Sequence, residues 1–386
     1  MVMKVKIIYT WLIRLISAIF YFRPKKNIYY VMSFDNNLRL IKQIAANMPE
    51  GQELVVLYEP EIEAAATDLS AFGIKTIPFK ENARFALLTI PSLMSARVLF
   101  CDNYFPFLAG LVRPKKKMKI VQLWHADGAI KCFGWEDPTT DKRSFFDKLR
   151  FQSVYNHFDD FVVASKAMGQ IFERSYRESP DKMKYLGYPR SDRLFKERWR
   201  RVARHRVYEV APELKGKRVI LYAPTYRDGL EFDPPKDIGE ALTADPNAIT
   251  VVKLHPLLRD QESRIRKFSN GNIRFYNQLS TSDLLSVCNT LVTDYSSVAF
   301  DFSLLPQAHS MIFFMFDLKQ YEQDPGIQKD FLEWLPSEPI TRVDQLTQAI
   351  VANQKIDFTS FNKHWNTYND GYATERVIKR YVLQNN

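Results

Sequence analysis

Two histidines stand directly after apolar runs in opposite halves of the chain. His125 follows Lys119–Trp124 and His255 closes the run Ile249–Leu254. A neutral imidazole takes a proton from a hydroxyl near neutral pH, so such a histidine can serve as a general base. His125 is followed by Ala126, Asp127 and Gly128, and Asp127 can orient it or contact an acceptor. His255 lies between Lys253 and Pro256, a cationic setting that suits a phosphate leaving group. Other apolar runs end in polar residues too. Asp102 and Asn103 follow Arg97–Cys101, and Pro224, Thr225, Tyr226, Arg227 and Asp228 follow Arg218–Ala223. Asp294, Tyr295, Ser296 and Ser297 follow Asn289–Thr293. The serines would open a helix with Val298, Phe302 and Leu305 on its apolar face, where free N–H groups and the helix dipole favour an anion. Arg190, in GYPRSD, and Arg227 are natural pyrophosphate partners. Each residue also has a plainer reading: a histidine satisfying a loop carbonyl, serines capping a helix, an ion-paired arginine. Their recurrence at the ends of runs favours a functional site.

The elements that must position them are strands. The runs Ile28–Phe34, Glu53–Tyr58, Arg97–Cys101, Lys119–Trp124 and Asp160–Ala164 occupy the first half, and Arg218–Ala223, Ile249–Leu254, Asn289–Thr293 and Met311–Phe316 the second. Most are continuous rather than alternating, as in parallel strands buried on both faces, and helical stretches separate them. The expectation is an α/β protein with two Rossmann-like domains facing across a cleft, with ligands beyond the carboxyl ends of the strands. The boundaries expected are a segment 1–26, an N-terminal acceptor domain 27–200 and a C-terminal donor domain 201–386.

Charge narrows the class of partner. The net charge is +10, which calls for an anionic partner. No zinc-finger spacing, RNP-type aromatic box or Gly-rich RNA loop occurs, so nucleic acid is not expected. Ile7–Phe22 is an apolar run interrupted by Arg14 and followed by Arg23, Lys25 and Lys26. It lacks a cleavage site and falls short of the ~20 residues needed to span a bilayer. A membrane-associating amphipathic helix lying in the interface fits it, and so does a first helix packed on the core; the positive flanks favour the membrane. RPKKKMK (113–119) is a second basic stretch. RLFKERWRRVARHR (193–206) reads as a helix with Leu194, Phe195, Trp199, Val202 and Ala203 on one face, either solvated or resting on anionic lipid. No GxGxxG, GxxxxGK[ST] or GxSxG pattern appears, so no dinucleotide or other cofactor is expected. Cys101, Cys132 and Cys288 lack metal-type spacing and read as reduced thiols; no protein-bound metal is expected, and a divalent ion on the substrate stays open.

The motifs WHADGAIKCFG, GYPRSD, YAPTYRD, KLHP and TDYSSVAFDF, in this order, resemble the CDP-glycerol glycerophosphotransferase family, the teichoic acid enzymes of Gram-positive bacteria. The resemblance covers about Tyr30 to the C-terminus. It implies a two-domain fold of the GT-B type and a peripheral position on the cytoplasmic face of the cell membrane. It matches His125 and His255 to the family's two essential histidines. It also places Arg190, Pro224, Thr225, Lys253, Ser296, Ser297 and Asp301 where CDP-glycerol is held. Chain-extending members read His-Gly-Thr-Pro after the tryptophan; this chain has His125-Ala126-Asp127-Gly128. With DNYF and KCFGWED alongside, the resemblance implies the primase activity. That activity adds the first glycerol phosphate to N-acetylmannosaminyl-N-acetylglucosaminyl diphosphoundecaprenol, releasing CMP, with Asp127, Gly128, Asp102 and Asn103 as acceptor-side candidates. The rivals are a glycerol- or ribitol-phosphate polymerase, a UDP-sugar glycosyltransferase or epimerase, and an inactive membrane scaffold. Oligomeric state is not legible.

Overall fold

The computed structural model describes residues 2–227, 231–267, 269–329 and 331–384. The chain divides into two compact units. Unit 1 holds Met1–Ala126, Gly134–Asp192 and Tyr368–Asn386; unit 2 holds Asp127–Phe133 and Arg193–Thr367. The division differs from the expected segments 1–26, 27–200 and 201–386: residues 1–26 are part of unit 1, the main boundary falls at Asp192/Arg193, Asp127–Phe133 belong to unit 2, and Tyr368–Asn386 return to unit 1.

Unit 1 is built on seven parallel strands: β1 (Asn27–Met32), β2 (Leu54–Tyr58), β3 (Lys75–Pro78), β4 (Ala96–Cys101), β5 (Lys119–Gln122), β6 (Asp160–Val163) and β7 (Met183–Tyr185). Their order is β3-β2-β1-β4-β5-β6-β7. The order reverses direction between β1 and β4, the place where doubly wound sheets open a crevice for ligands. All six residues of β1 are buried, which explains the unbroken apolar run after Asn27. On one face of the sheet Tyr30, Val56, Phe100 and Val121 pack with Val377, Ile378, Tyr381 and Val382 of the returning C-terminal segment. The Arg97 guanidinium ties that segment down through the carbonyls of Tyr381 (2.8 Å) and Val382 (2.6 Å). The carboxylate of Asp192 accepts the N–H groups of Ala373 and Thr374, at 3.0 and 2.8 Å, and so satisfies the start of helix Ala373–Ile378.

Unit 2 repeats the plan with β8 (Arg218–Tyr222), β9 (Ala248–Val252), β10 (Ile273–Arg274), β11 (Thr290–Thr293) and β12 (Ser310–Phe313). All pair in parallel, in the order β10-β9-β8-β11-β12, with the reversal between β8 and β11. Residues 127–133 join this unit by backbone pairing. Cys132 N–H donates to Gly326 O (2.9 Å) and Gln328 N–H to Ile130 O (2.7 Å).

Each of the runs expected as strands overlaps a strand. The strands outside those runs, β3, β7 and β10, all sit at sheet edges. An edge strand covered on fewer sides carries fewer apolar residues; β3 is KTIP, with both ends exposed.

The N-terminal run forms helix Val2–Ile19. Ile13 and Ser17 are buried against unit 1, where Ser17 Oγ accepts the Val112 N–H at 2.9 Å. Gly110 permits the approach, since a Cβ there would lie 2.4 Å from the Thr10 carbonyl. Ile8, Trp11, Leu15 and Ile19 stay exposed on the outer side. Among the described residues no helix is long and apolar enough to cross a membrane. The basic stretch forms helix Glu197–Val210 in unit 2. Val202, expected on its apolar face, is 44% exposed; Ala203 and Val207 are the buried pair. Arg200 and Arg204 bind Glu197, and Arg206 binds Asp283, so several of the guanidiniums are already paired.

Candidate functional site

In unit 1 the candidate side chains gather where β1, β4 and β5 end. Asp102, the residue after β4, is fully buried. Its carboxylate accepts the N–H groups of Ser33 (3.0 Å) and Phe34 (3.3 Å), just past β1, and so fastens the reversal point. Burial outweighs those donors and pushes its carboxyl up to about 8. Asp102 was expected to meet the acceptor; its carboxylate instead holds the loop. Its backbone carbonyl lies 3.2 Å from His125 Nδ1. A carbonyl only accepts, so the neutral imidazole carries its proton on Nδ1, and Nε2 is its basic nitrogen.

The position of His125 is fixed from several sides. Its ring stacks on Phe34, with centroids 4.3 Å apart, and lies 4.3 Å from the Trp124 ring. Its backbone carbonyl accepts from Asn36 Nδ2 (2.7 Å) and Arg190 (3.0 Å). Trp124 adopts a positive φ of 61°, which turns the chain sharply out of β5. The buried Gln122 accepts the Trp124 N–H (2.9 Å) and donates to the Asn103 carbonyl (2.9 Å). Arg190, expected to hold CDP-glycerol, lies in unit 1 and braces His125 through its backbone carbonyl. The Oδ1 of Asn103 accepts the N–H of Tyr104.

In unit 2 the same device recurs. Asp294, after β11, is buried, and its Oδ1 accepts the N–H groups of Thr225 (2.8 Å), just past β8, and Tyr295 (2.6 Å). Its Oδ2 pairs with Arg227 at 2.8 Å. Arg227 is fully buried and also grips Asp317 through Nε (2.7 Å) and Nη2 (3.1 Å). It was expected to contact a diphosphate. It is instead enclosed by two carboxylates and the rings of Phe232, Tyr295, Phe316 and Tyr321, and it anchors the Pro224–Thr225 turn. Asp228, next in the motif, lies outside the described residues.

Lys253 and His255 follow β9. Burial and Arg259 hold the Lys253 ammonium below the usual lysine range, and its Nζ donates to Asn277 O (3.2 Å). His255 is exposed and stacks on Tyr226, with centroids 5.0 Å apart. Its Nδ1 accepts the Leu257 N–H at 3.3 Å, so the neutral ring carries its proton on Nε2. The two histidines are therefore held in opposite tautomers, His125 presenting a basic Nε2 and His255 a donating one. Ser296 and Ser297 are partly exposed ahead of helix Val298–Ser303, and Ser296 Oγ accepts the Val298 N–H at 3.4 Å. Asp301, on that helix, is 5% exposed. Asp127 is fully buried in unit 2. Gly128 beside it packs on Phe300, whose ring would lie 2.2 Å from an added Cβ.

Sequence reading missed Asn36 and Asp317. Both follow apolar runs, Ile28–Phe34 and Met311–Phe316, so the rule that found the others points to them as well. Among the described residues no group of three or more His, Cys, Asp or Glu is arranged to hold a metal.

The profile of the CDP-glycerol:poly(glycerophosphate) glycerophosphotransferase family matches residues 17–383. A teichoic acid glycerol-phosphate primase of Bacillus subtilis (strain 168) is 28% identical over 374 residues, covering 94% of each chain. A teichoic acid ribitol-phosphate primase of Bacillus spizizenii (strain ATCC 23059 / NRRL B-14472 / W23) is 29% identical over 294 residues, covering 74% of each. Among solved structures the wall teichoic acid polymerase TagF, soaked with CDPG, superposes with a TM-score of 0.64 at 17% identity, covering 96% of this chain and 92% of that one.

Proposed function

The chain belongs to the CDP-glycerol:poly(glycerophosphate) glycerophosphotransferase family and is a transferase of teichoic acid biosynthesis; from that premise we propose that it is a glycerol-phosphate primase. Its donor is CDP-glycerol and its acceptor the N-acetylmannosaminyl-N-acetylglucosaminyl diphosphoundecaprenol lipid. Likeness to a glycerol-phosphate primase over nearly the whole of both chains supports the primase over the polymerase.

The observation that carries the mechanism is the backbone contact at each Nδ1, a carbonyl at His125 and an N–H at His255, from which opposite tautomers follow. His125 Nε2 takes the proton of the acceptor sugar hydroxyl as that oxygen attacks the phosphorus nearer the glycerol. The bond from that phosphorus to the bridging oxygen breaks, and CMP leaves with the electron pair. Lys253, the Nε2–H of His255, and Thr225, Ser296 and Ser297 meet the charge on the donor phosphates. Pro224 shapes the turn beside them, and Asp301 lies on the helix that the serines open. Asp102, Arg190 and Arg227 act by holding the loops, and Asn103 is the acceptor-side polar group. Asp127 and Gly128 act through the packing of residues 127–133 in unit 2. The exposed apolar side of helix Val2–Ile19, with Arg23, Lys25 and Lys26 after it, rests on the anionic cytoplasmic leaflet, which attracts such basic segments. The protein is then peripheral.

Purified protein, CDP-glycerol and a synthetic disaccharide-lipid test this, with CMP release and product mass both read. One added glycerol phosphate per acceptor is expected. A ladder of additions makes it a polymerase, preference for CDP-ribitol changes the donor, and no CMP release ends the reading.

A further inference from the structure

The outer face of helix Val2–Ile19 and the first turns of helix Phe145–His157 enclose a groove of about 400 Å³ in unit 1. Ile7, Trp11, Phe146 and Leu149 supply apolar walls, and Ala109 lies among the lining residues. Each of those four walls is between 43% and 64% exposed, so the apolar lining is open to solvent. Cations border it: Lys6, Arg14 and Arg150. The acidic residue of the lining, Asp147, already pairs with Arg150 at 3.1 Å. An open hydrocarbon trough bordered by cations matches a chain that is greasy along its length and anionic at one end. Helix Phe145–His157 also connects the groove to the chemistry. Its Phe151 and Tyr155 pack on Tyr104, with centroids 5.0 and 5.9 Å away, and Tyr104 follows Asp102 and Asn103 at the carboxyl edge of the sheet.

We propose that this groove binds the isoprenyl-phosphate portion of the lipid-linked acceptor, with the hydrocarbon on Ile7, Trp11, Phe146 and Leu149 and the phosphate charge against Arg14 and Lys6. The proposal rests on the primase reading for the identity of the lipid. It assigns the outer side of the first helix a specific substrate contact in addition to contact with bulk bilayer.

The test is photolabelling of the whole protein, without vesicles, by a short isoprenyl diphosphate carrying a benzophenone. Labelling is expected in peptides spanning residues 6–14 and 146–153, competed by unlabelled isoprenyl diphosphate and not by inorganic diphosphate. Leu149→Asp, at a half-exposed position that keeps the fold, should abolish it. Arg14→Gln should weaken competition by about tenfold or more, as loss of a charged hydrogen bond does. CDP-glycerol binding should be unchanged in both. Scattered labelling, or labelling that survives Leu149→Asp, overturns the proposal. So does a dimer that Leu149→Asp dissociates with no labelling seen, which would give the groove to a second copy. Labelling needs no turnover. A groove that fails while a water-soluble acceptor is still glycerophosphorylated leaves the reaction intact, and a labelled groove in a protein inactive toward CDP-glycerol leaves the groove standing.

Discussion

At the scale of the residue, the structure separates side chains engaged in holding the loops, such as Asp102 and Arg227, from ring nitrogens that the proposed reaction would use. Replacing His125 by Ala removes the base, and transfer should fall by about 10²–10⁴-fold while calorimetric CDP-glycerol binding survives. His255 offers a finer test because Nδ1 is engaged by the Leu257 N–H. The amide of Gln reaches where Nε2 stands and the amide of Asn where Nδ1 stands. His255→Gln should therefore retain more turnover than His255→Asn, by up to the worth of one hydrogen bond to a charged group, about 1.5–3 kcal/mol. Equal losses in the two variants would remove the donor role of Nε2. That both histidines follow buried strands was legible from the apolar runs before them. Their tautomers were not, because these depend on the Asp102 carbonyl and the Leu257 N–H, which only the folded backbone brings to them.

At the scale of the element, each sheet reverses direction beside a buried aspartate that binds the N–H groups beyond its first strand: Asp102 on Ser33 and Phe34, Asp294 on Thr225. Arg227 extends the second of these to Asp317. Arg227→Met leaves two carboxylates without their cation and should cost about 3–5 kcal/mol in urea unfolding. Gly128→Ala drives a methyl into the Phe300 ring and should cost about 1–3 kcal/mol in the same measurement. Sequence alone could not separate a ligand contact from a brace at Asp102 and Arg227, because a charged residue at a strand end looks the same whether it faces a ligand or the backbone across the reversal. It also overlooked β3, β7 and β10, whose edge positions remove the apolar signal that betrays buried strands. The buried strands of both sheets were readable for the converse reason.

At the scale of the whole molecule, burial raises two carboxyls of unit 1, Asp102 from 3.8 to about 8 and Glu81 from 4.5 to about 7. The folded state binds these protons more tightly than the unfolded chain. Their contribution to stability is full below pH 3.8 and is lost as pH rises through 7 and 8. The urea midpoint should decline over that window, and Asp102→Asn should make the decline shallower; an unchanged slope would deny the raised carboxyl. The surface charge predicts a second bulk property: flotation with anionic vesicles should weaken as salt rises, since screening shortens the reach of exposed lysines. One further consequence concerns the order of events during synthesis. Val377, Tyr381 and Val382 complete the core around β1 and β4, whereas unit 2 is almost one continuous stretch of chain. Residues 373–382 follow all of unit 2 along the chain, so until they emerge from the ribosome the core around β1 and β4 lacks one wall.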